Sequence, residues 1–300
     1  MRKWRFRIAL SILLFPLAGV DGTARKLATD ELIARHRTAI GENPVRKNRV
    51  AQGLGTLDIR VGGLGKLGGP AMILAEGDKL RTSFGFGHIQ YPKETIIRNG
   101  DKLDIAYITP GIRSQLGTAL WLHFPRLAQE GLYGGVLTTD WALLDLDKRR
   151  AKVRYRGLKK FEGRKLHELE YRPKKGVEYR IRLYFEPETY RHVASSYRLT
   201  IPAGVGRGSM IAQQGPGFGA ADGPADNTRI QLMETFSEFK EVDGLTLPHH
   251  YRITLNESAA TGIDSGAGFA PRNGFVGHWE IKIDRVSHEY RITPQAFAIK

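Results

Sequence analysis

Residues 152–200 alternate apolar and charged side chains with a period of two, and no other feature constrains the fold as much. Val153 and Tyr155 alternate with Arg154 and Arg156. Tyr179, Ile181, Leu183 and Phe185 alternate with Glu178, Arg180, Arg182 and Tyr184. Successive strand side chains point to opposite faces, so the spacing predicts one apolar face and one charged face. Phe161-Glu162-Gly163, Lys174-Lys175-Gly176 and Glu186-Pro187-Glu188-Thr189 carry turn chemistry. The stretch reads as four antiparallel strands. Their apolar face needs a cover: a helix, another sheet or a ligand.

The same pattern runs through most of the chain. Leu57, Ile59 and Val61 share one strand face, as do Leu80, Thr82, Phe84 and Phe86. A Gly-rich turn over 62–70 is expected to lead into a strand at Ala71. Asn99-Gly100 is a strong hairpin signal between 94–98 and 102–108. Helical spacing occurs twice. Residues 29–40 place Leu32, Ile33, His36 and Ile40 on one stripe, with Thr29 or Asp30 as cap and Gly41 as stop. Residues 114–131 place Leu116, Ala119, Leu120, His123 and Leu127 on another, and Pro125 is expected to kink or split that helix. Residues 203–228 and 259–274 are Gly-rich and lack a period, so they read as flexible insertions. Strands are expected again over 229–242, 245–258 and 278–292, with a short closing strand at 296–299. With no βαβ rhythm, the expected class is α+β: an antiparallel meander of about 10–12 strands with helices on one face.

Arg2, Lys3, Arg5 and Arg7 precede an apolar run over 8–20. The run is shorter than the roughly 20 residues of a membrane span, so 1–24 reads as a secretory signal, with an uncleaved anchor as the alternative. The chain has no cysteine. That excludes disulfides, thiol chemistry, cysteine zinc sites and N-terminal lipidation. Residues 25–300 are expected to form one soluble periplasmic domain, monomeric and without a lipid anchor. Lys+Arg 46 against Asp+Glu 31 gives +15, about +12 once the leader's four basic residues and Asp21 are set aside. The basic residues alternate along strands and are not clustered with exposed aromatics. That favours a solvated face over nucleic acid, with transient attraction to anionic membranes as a further expectation.

No motif points to chemistry. Gly63-Leu64-Gly65-Lys66-Leu67-Gly68 fits GxGxxG, but a strand pattern follows where a dinucleotide site needs a helix. His249 and His250 are adjacent in a strand and face opposite ways, so they cannot share a metal. Ser209 lacks the strand-turn-helix of a nucleophile elbow. Asp and Glu residues read as lying on wet faces or in turns. No cofactor or metal is expected, and a hydrolase is the least supported class.

Residues 155–164, the block His167-Glu168-Leu169-Glu170, residues 182–189 and residues 239–249 together resemble the LolA/LolB-like outer-membrane lipoprotein-sorting family. The resemblance is one of pattern, spans most of 29–299 and contains no diagnostic residue. It implies a curved half-open antiparallel barrel with helices plugging its concave side. It also implies that the protein holds acyl chains without chemistry, with lids fixed by polar contacts from the barrel wall, for which Arg60 and Arg81 are the candidates. The two Gly-rich insertions and the higher charge depart from the family and leave the cargo open.

The leading expectation is a carrier of a lipid or lipidated protein. Its cavity wall would be Leu57, Ile59, Leu80, Phe84, Phe86, Ile105 and Leu169, closed by Leu116, Leu120 and Leu127. The alternative is an envelope interaction module with a filled core and a basic face.

Overall fold

The computed structural model describes residues 27–41, 48–59, 65–108, 110–202, 227–260 and 275–298. Residues 1–24, read above as a secretory signal, and most of 203–228 and 259–274 lie outside them. The strands are β1 (Asn48–Ile59), β2 (Gly65–Glu76), β3 (Lys79–His88), β4 (Tyr91–Asn99), β5 (Lys102–Ile105), β6 (Lys152–Phe161), β7 (Arg164–Arg172), β8 (Arg180–Phe185), β9 (His192–Ile201), β10 (Asn227–Val242), β11 (Leu245–Ala260) and β12 (Val276–Ser287). They form one open antiparallel sheet, a curved half-barrel in the order β5-β4-β3-β2-β1-β12-β11-β10-β9-β8-β7-β6. The chain starts mid-sheet, meanders to the β5 edge, crosses to the β6 edge and meanders back until β12 pairs with β1.

That order explains the cover. Twelve strands at about 4.8 Å spacing put the edges about 50 Å apart along the sheet. The connection from β5 to β6 must therefore cross a whole face. It does so as α2 (Gln115–Leu122), α3 (Pro125–Gln129), two short 3-10 turns (Gly135–Leu137 and Ala142–Leu144) and α4 (Leu146–Arg149). Pro125 sits at the first position of α3 and splits the helical stretch as the sequence predicts.

Helix α1 (Thr29–Ile40) buries the expected stripe Leu32, Ile33, His36 and Ile40. His36 is neutral by arrangement. Its Nδ1–H donates to the Tyr190 carbonyl at 3.0 Å, and its Nε2 accepts from Trp141 Nε1 at 3.0 Å. Burial lowers its pKa to about 4. Neither Thr29 nor Asp30 caps the helix; Ala28 holds the cap position without a side-chain bond. Thr29 Oγ1 instead accepts the backbone N–H of Tyr155 at 3.0 Å, tying α1 to β6. Thr29→Ala is expected to cost about 1 kcal/mol in urea unfolding. Unchanged stability would show that water replaces this bond freely.

Four further expectations need correction. β2 begins at Gly65, not after Pro70. The glycines that read as a turn permit close strand approach, since a Cβ on Gly69 would lie 1.8 Å from the Gly85 carbonyl oxygen. β12 ends at Ser287, short of Ile292. The chain end is a 3-10 turn, Pro294–Phe297, not a strand. Phe297 packs with Val50, Leu74 and Ile292 on the face opposite the main core. Tyr184, expected on the wet side, is buried there too, with Leu166, Val193 and Ala194.

Candidate functional site

The concave face and its cover form one continuous apolar cluster. From the cover, Leu116, Leu120, Phe124, Leu127, Leu132, Tyr133, Leu137, Trp141 and Leu143 are buried at 1% exposure or less. All ten expected ligand-binding residues lie in this cluster. Leu57 and Ile59 come from β1, Leu80, Phe84 and Phe86 from β3, Ile105 from β5 and Leu169 from β7. Leu116 and Leu120 come from α2, and Leu127 from α3. None exceeds 7% exposure, so here the two sides pack on each other and fill the space between them.

The cover is also held by polar groups projecting from the sheet. Glu94 Oε2 on β4 accepts from Tyr91 Oη and Trp279 Nε1, each at 2.6 Å, and Oε1 accepts from Ser114 Oγ. Ser114 Oγ in turn accepts the Gly117 N–H at 2.8 Å and so caps α2. Burial raises the Glu94 pKa against the pull of these donors. Glu234 on β10 accepts the Gly134 N–H at 2.7 Å, Tyr197 Oη at 2.7 Å and Tyr251 Oη at 2.5 Å. Burial pushes its pKa up to about 7. Gly134 has φ +84, a left-handed conformation that glycine takes without strain, and its N–H meets the carboxylate there.

Two arginines complete the fastening. Arg98 on β4 grips Asp140 of the cover with two bonds, at 2.5 and 2.6 Å. Arg149 adds a third contact to that carboxylate at 3.1 Å. Arg49 on β1 donates to the carbonyls of Val136 and Thr138 and to His288 Nε2. Burial lowers its pKa to about 10.

Two clefts open beside the cover. One, of about 340 Å³, is bounded by Leu122, His123, Pro125 and Arg126 at the α2–α3 junction and by Tyr179, Leu199 and Ile201. The other, of about 880 Å³, is mostly basic, with Arg150, Lys152, Lys174 and Arg180 among its walls. Residues 176–179 line both. None of the ten expected residues lines either cleft. On the outer side, Tyr107, Ile112, Trp121 and Leu122 are exposed. Arg113 stacks over Tyr107 at 4.5 Å and Trp121 at 4.9 Å.

No protein-family model matches the chain, and no curated protein matches it. Among solved structures it is similar to a LolA superfamily protein of Nitrosomonas europaea at 10% identity and TM-score 0.43, covering 92% of this chain and 99% of that one. It is similar to a DUF1329 family protein of Desulfovibrio piger at 12% identity and TM-score 0.44, covering 89% and 95%. It is also similar to an outer membrane lipoprotein-sorting protein domain of Vibrio parahaemolyticus at 11% identity and TM-score 0.42, covering 88% and 94%.

The fastening residues contradict the expectation that acidic residues lie on wet faces. Their signal was their phase. Glu94 and Arg98 alternate in step with buried Ile96, and Glu234 in step with Ile230, Leu232 and Phe236. Of the two residues the resemblance put forward as lid holders, Arg81 instead donates to the Ala296 carbonyl at 3.1 Å and secures the chain end. Arg60 and Ser209 lie outside the described residues. Gly65 to Gly68 are strand, so GxGxxG meets no helix there. His249 is buried, while His250 pairs with Glu280 at 2.6 Å. Among the described residues no group of three His, Asp or Glu side chains could hold a metal ion.

Proposed function

We propose that this protein is a periplasmic carrier or binder of a hydrophobic, acyl-bearing ligand, a lipid or the lipid of a lipidated protein, and that it performs no chemistry. It acts as an exported monomer without a lipid anchor. One observation carries the reading: the cover over the apolar concave face is fastened by buried polar groups from the sheet. Buried charges are a poor way to stabilise a permanent core, since apolar side chains of similar volume often do as well. Their value here is to define a closed state that can be left and re-entered. An acyl chain of about 15 methylenes offers about 12 kcal/mol on burial. Withdrawing Leu116, Leu120, Phe124 and Leu127 costs roughly 6–12 kcal/mol, which a chain of this length offsets. A long chain can therefore displace α2 and α3, and the ten residues then line its site. The test is native mass spectrometry after mild purification. The expected result is a bound lipid mass. A protein with no lipid and no affinity for hydrophobic dyes would overturn the reading.

A second reading, an envelope interaction module, is favoured by the filled core and by the exposed patch around Arg113. It predicts adsorption to anionic vesicles that high salt abolishes, with no lipid extracted.

A further inference from the structure

The basic cleft adds a requirement on the ligand. Arg156, Arg172 and Arg182 are ion-paired to Glu170 of the wall and Glu168 beside it, three cations sharing two carboxylates. Arg150, Lys152, Lys174 and Arg180 have no ion pair among the described residues, and the remaining acid of the wall is Glu178. The cleft therefore carries an excess of positive charge in a concave site.

A second, independent observation lies at its border. Tyr179 is 7% exposed, lines both clefts, and its hydroxyl has no hydrogen-bond partner. A buried hydroxyl without a partner costs about 1–3 kcal/mol. Burial and nearby Glu130 hold its pKa well above the usual phenol range, so it remains a donor. Its ring packs edge-on against Phe124 of the cover at 5.0 Å. Tyr179 thus lies where the basic cleft meets the opening beside α2 and α3, and its unused donor is buried there.

We propose that the ligand is an anionic amphiphile. Its phosphate or carboxylate head group occupies the basic cleft and accepts from Tyr179 Oη, and its chain enters between Tyr179 and the α2–α3 junction. This rests on the acyl-binding reading and deepens it by naming the head-group class.

The test is calorimetric titration of the full chain with three probes: inorganic phosphate and, each below its micelle concentration, dodecyl phosphate and dodecyl maltoside. Dodecyl phosphate is expected to bind at least tenfold more tightly than dodecyl maltoside, and inorganic phosphate more weakly than either. Tyr179→Phe keeps the ring and is expected to weaken dodecyl phosphate about fivefold, as for one lost hydrogen bond. Lys174→Ala with Arg180→Ala is expected to reduce the preference for phosphate over maltoside further, since both positions are exposed and leave the core intact. Equal binding of the two amphiphiles would overturn the head-group inference while acyl binding stood. Inorganic phosphate binding as tightly as dodecyl phosphate would reduce the cleft to a plain anion site. Failure of both amphiphiles would overturn acyl binding itself.

Discussion

Asp140→Ala is expected to destabilise the protein by about 3 kcal/mol, the lower end of the cost of breaking a buried ion pair. The loss falls mainly on Arg98, whose side chain is 2% exposed and would be left buried without a counter-charge. Asp140 itself is 16% exposed, which keeps the estimate at the low end. Arg149 would lose its 3.1 Å contact as well. For a chain of this size the midpoint of thermal unfolding should drop by roughly 6–10 °C. Combining Asp140→Leu with Arg98→Met should recover part of the loss, because these two charges leave the interior together while Arg149, 15% exposed, still loses its partner. Urea titration of the two variants measures this. A double variant as unstable as Asp140→Ala would show that the pair holds the cover by more than its mutual compensation.

Glu234 is expected to make stability fall as pH rises. In the unfolded chain the carboxyl titrates near 4.5, whereas burial holds it up to about 7 in the folded protein. The folded state therefore binds more protons between these values. Stability is lost across that window, by about 3 kcal/mol in total. His36 works in the opposite direction. Its pKa is lowered from 6.5 to about 4, so its contribution is complete above 6.5 and is lost as pH falls. Whole-protein stability mixes these slopes with those of other shifted groups, among them Glu94, raised by burial, and His192, lowered by it. Glu234→Gln isolates one of them: wild-type stability minus that of the variant should drop by about 3 kcal/mol from pH 4.5 to pH 7. Tyr133, Tyr197 and Tyr251 around the carboxyl are all raised well above 10 and do not titrate in this window. A difference that stays flat with pH would contradict the assignment.

Much of the architecture is legible in the period of two. It marks the strands from Leu57 to Phe86 and from Lys152 to Thr200, and the helical spacing of Leu32, Ile33, His36 and Ile40 finds α1. Two errors share a cause: local pattern does not say whether a neighbouring edge is free. Residues 296–299 alternate weakly like a strand, but β1, β2 and β3 are already paired on both sides, so the chain end settles on their face instead. Gly65 to Pro70 look like a turn, yet β1 pairs with them from Gly65 to Glu76. The site was half legible. Alternation identified the apolar residues that meet beneath the cover. It could not show that Glu94, Arg98 and Glu234, in phase with those residues, reach Ser114, Asp140 and Gly134, because those contacts depend on the path of the crossing segment. The orphaned hydroxyl of Tyr179 was invisible for the same reason.

The central claim is that α2 and α3 must leave the sheet for a ligand to enter. A Cβ built on Gly117 of α2 lies 3.7 Å from Ile105 Cβ on β5, within the range of a disulfide. The chain has no other cysteine, so Ile105→Cys with Gly117→Cys gives a single reversible lock once Ser114 Oγ, 2.9 Å away, has shifted slightly. The decisive measurement is binding of a fluorescent long-chain acyl probe to this variant, oxidised and then reduced. The account predicts at least tenfold weaker binding in the oxidised form, restored by reductant. Equal binding in both forms would contradict it.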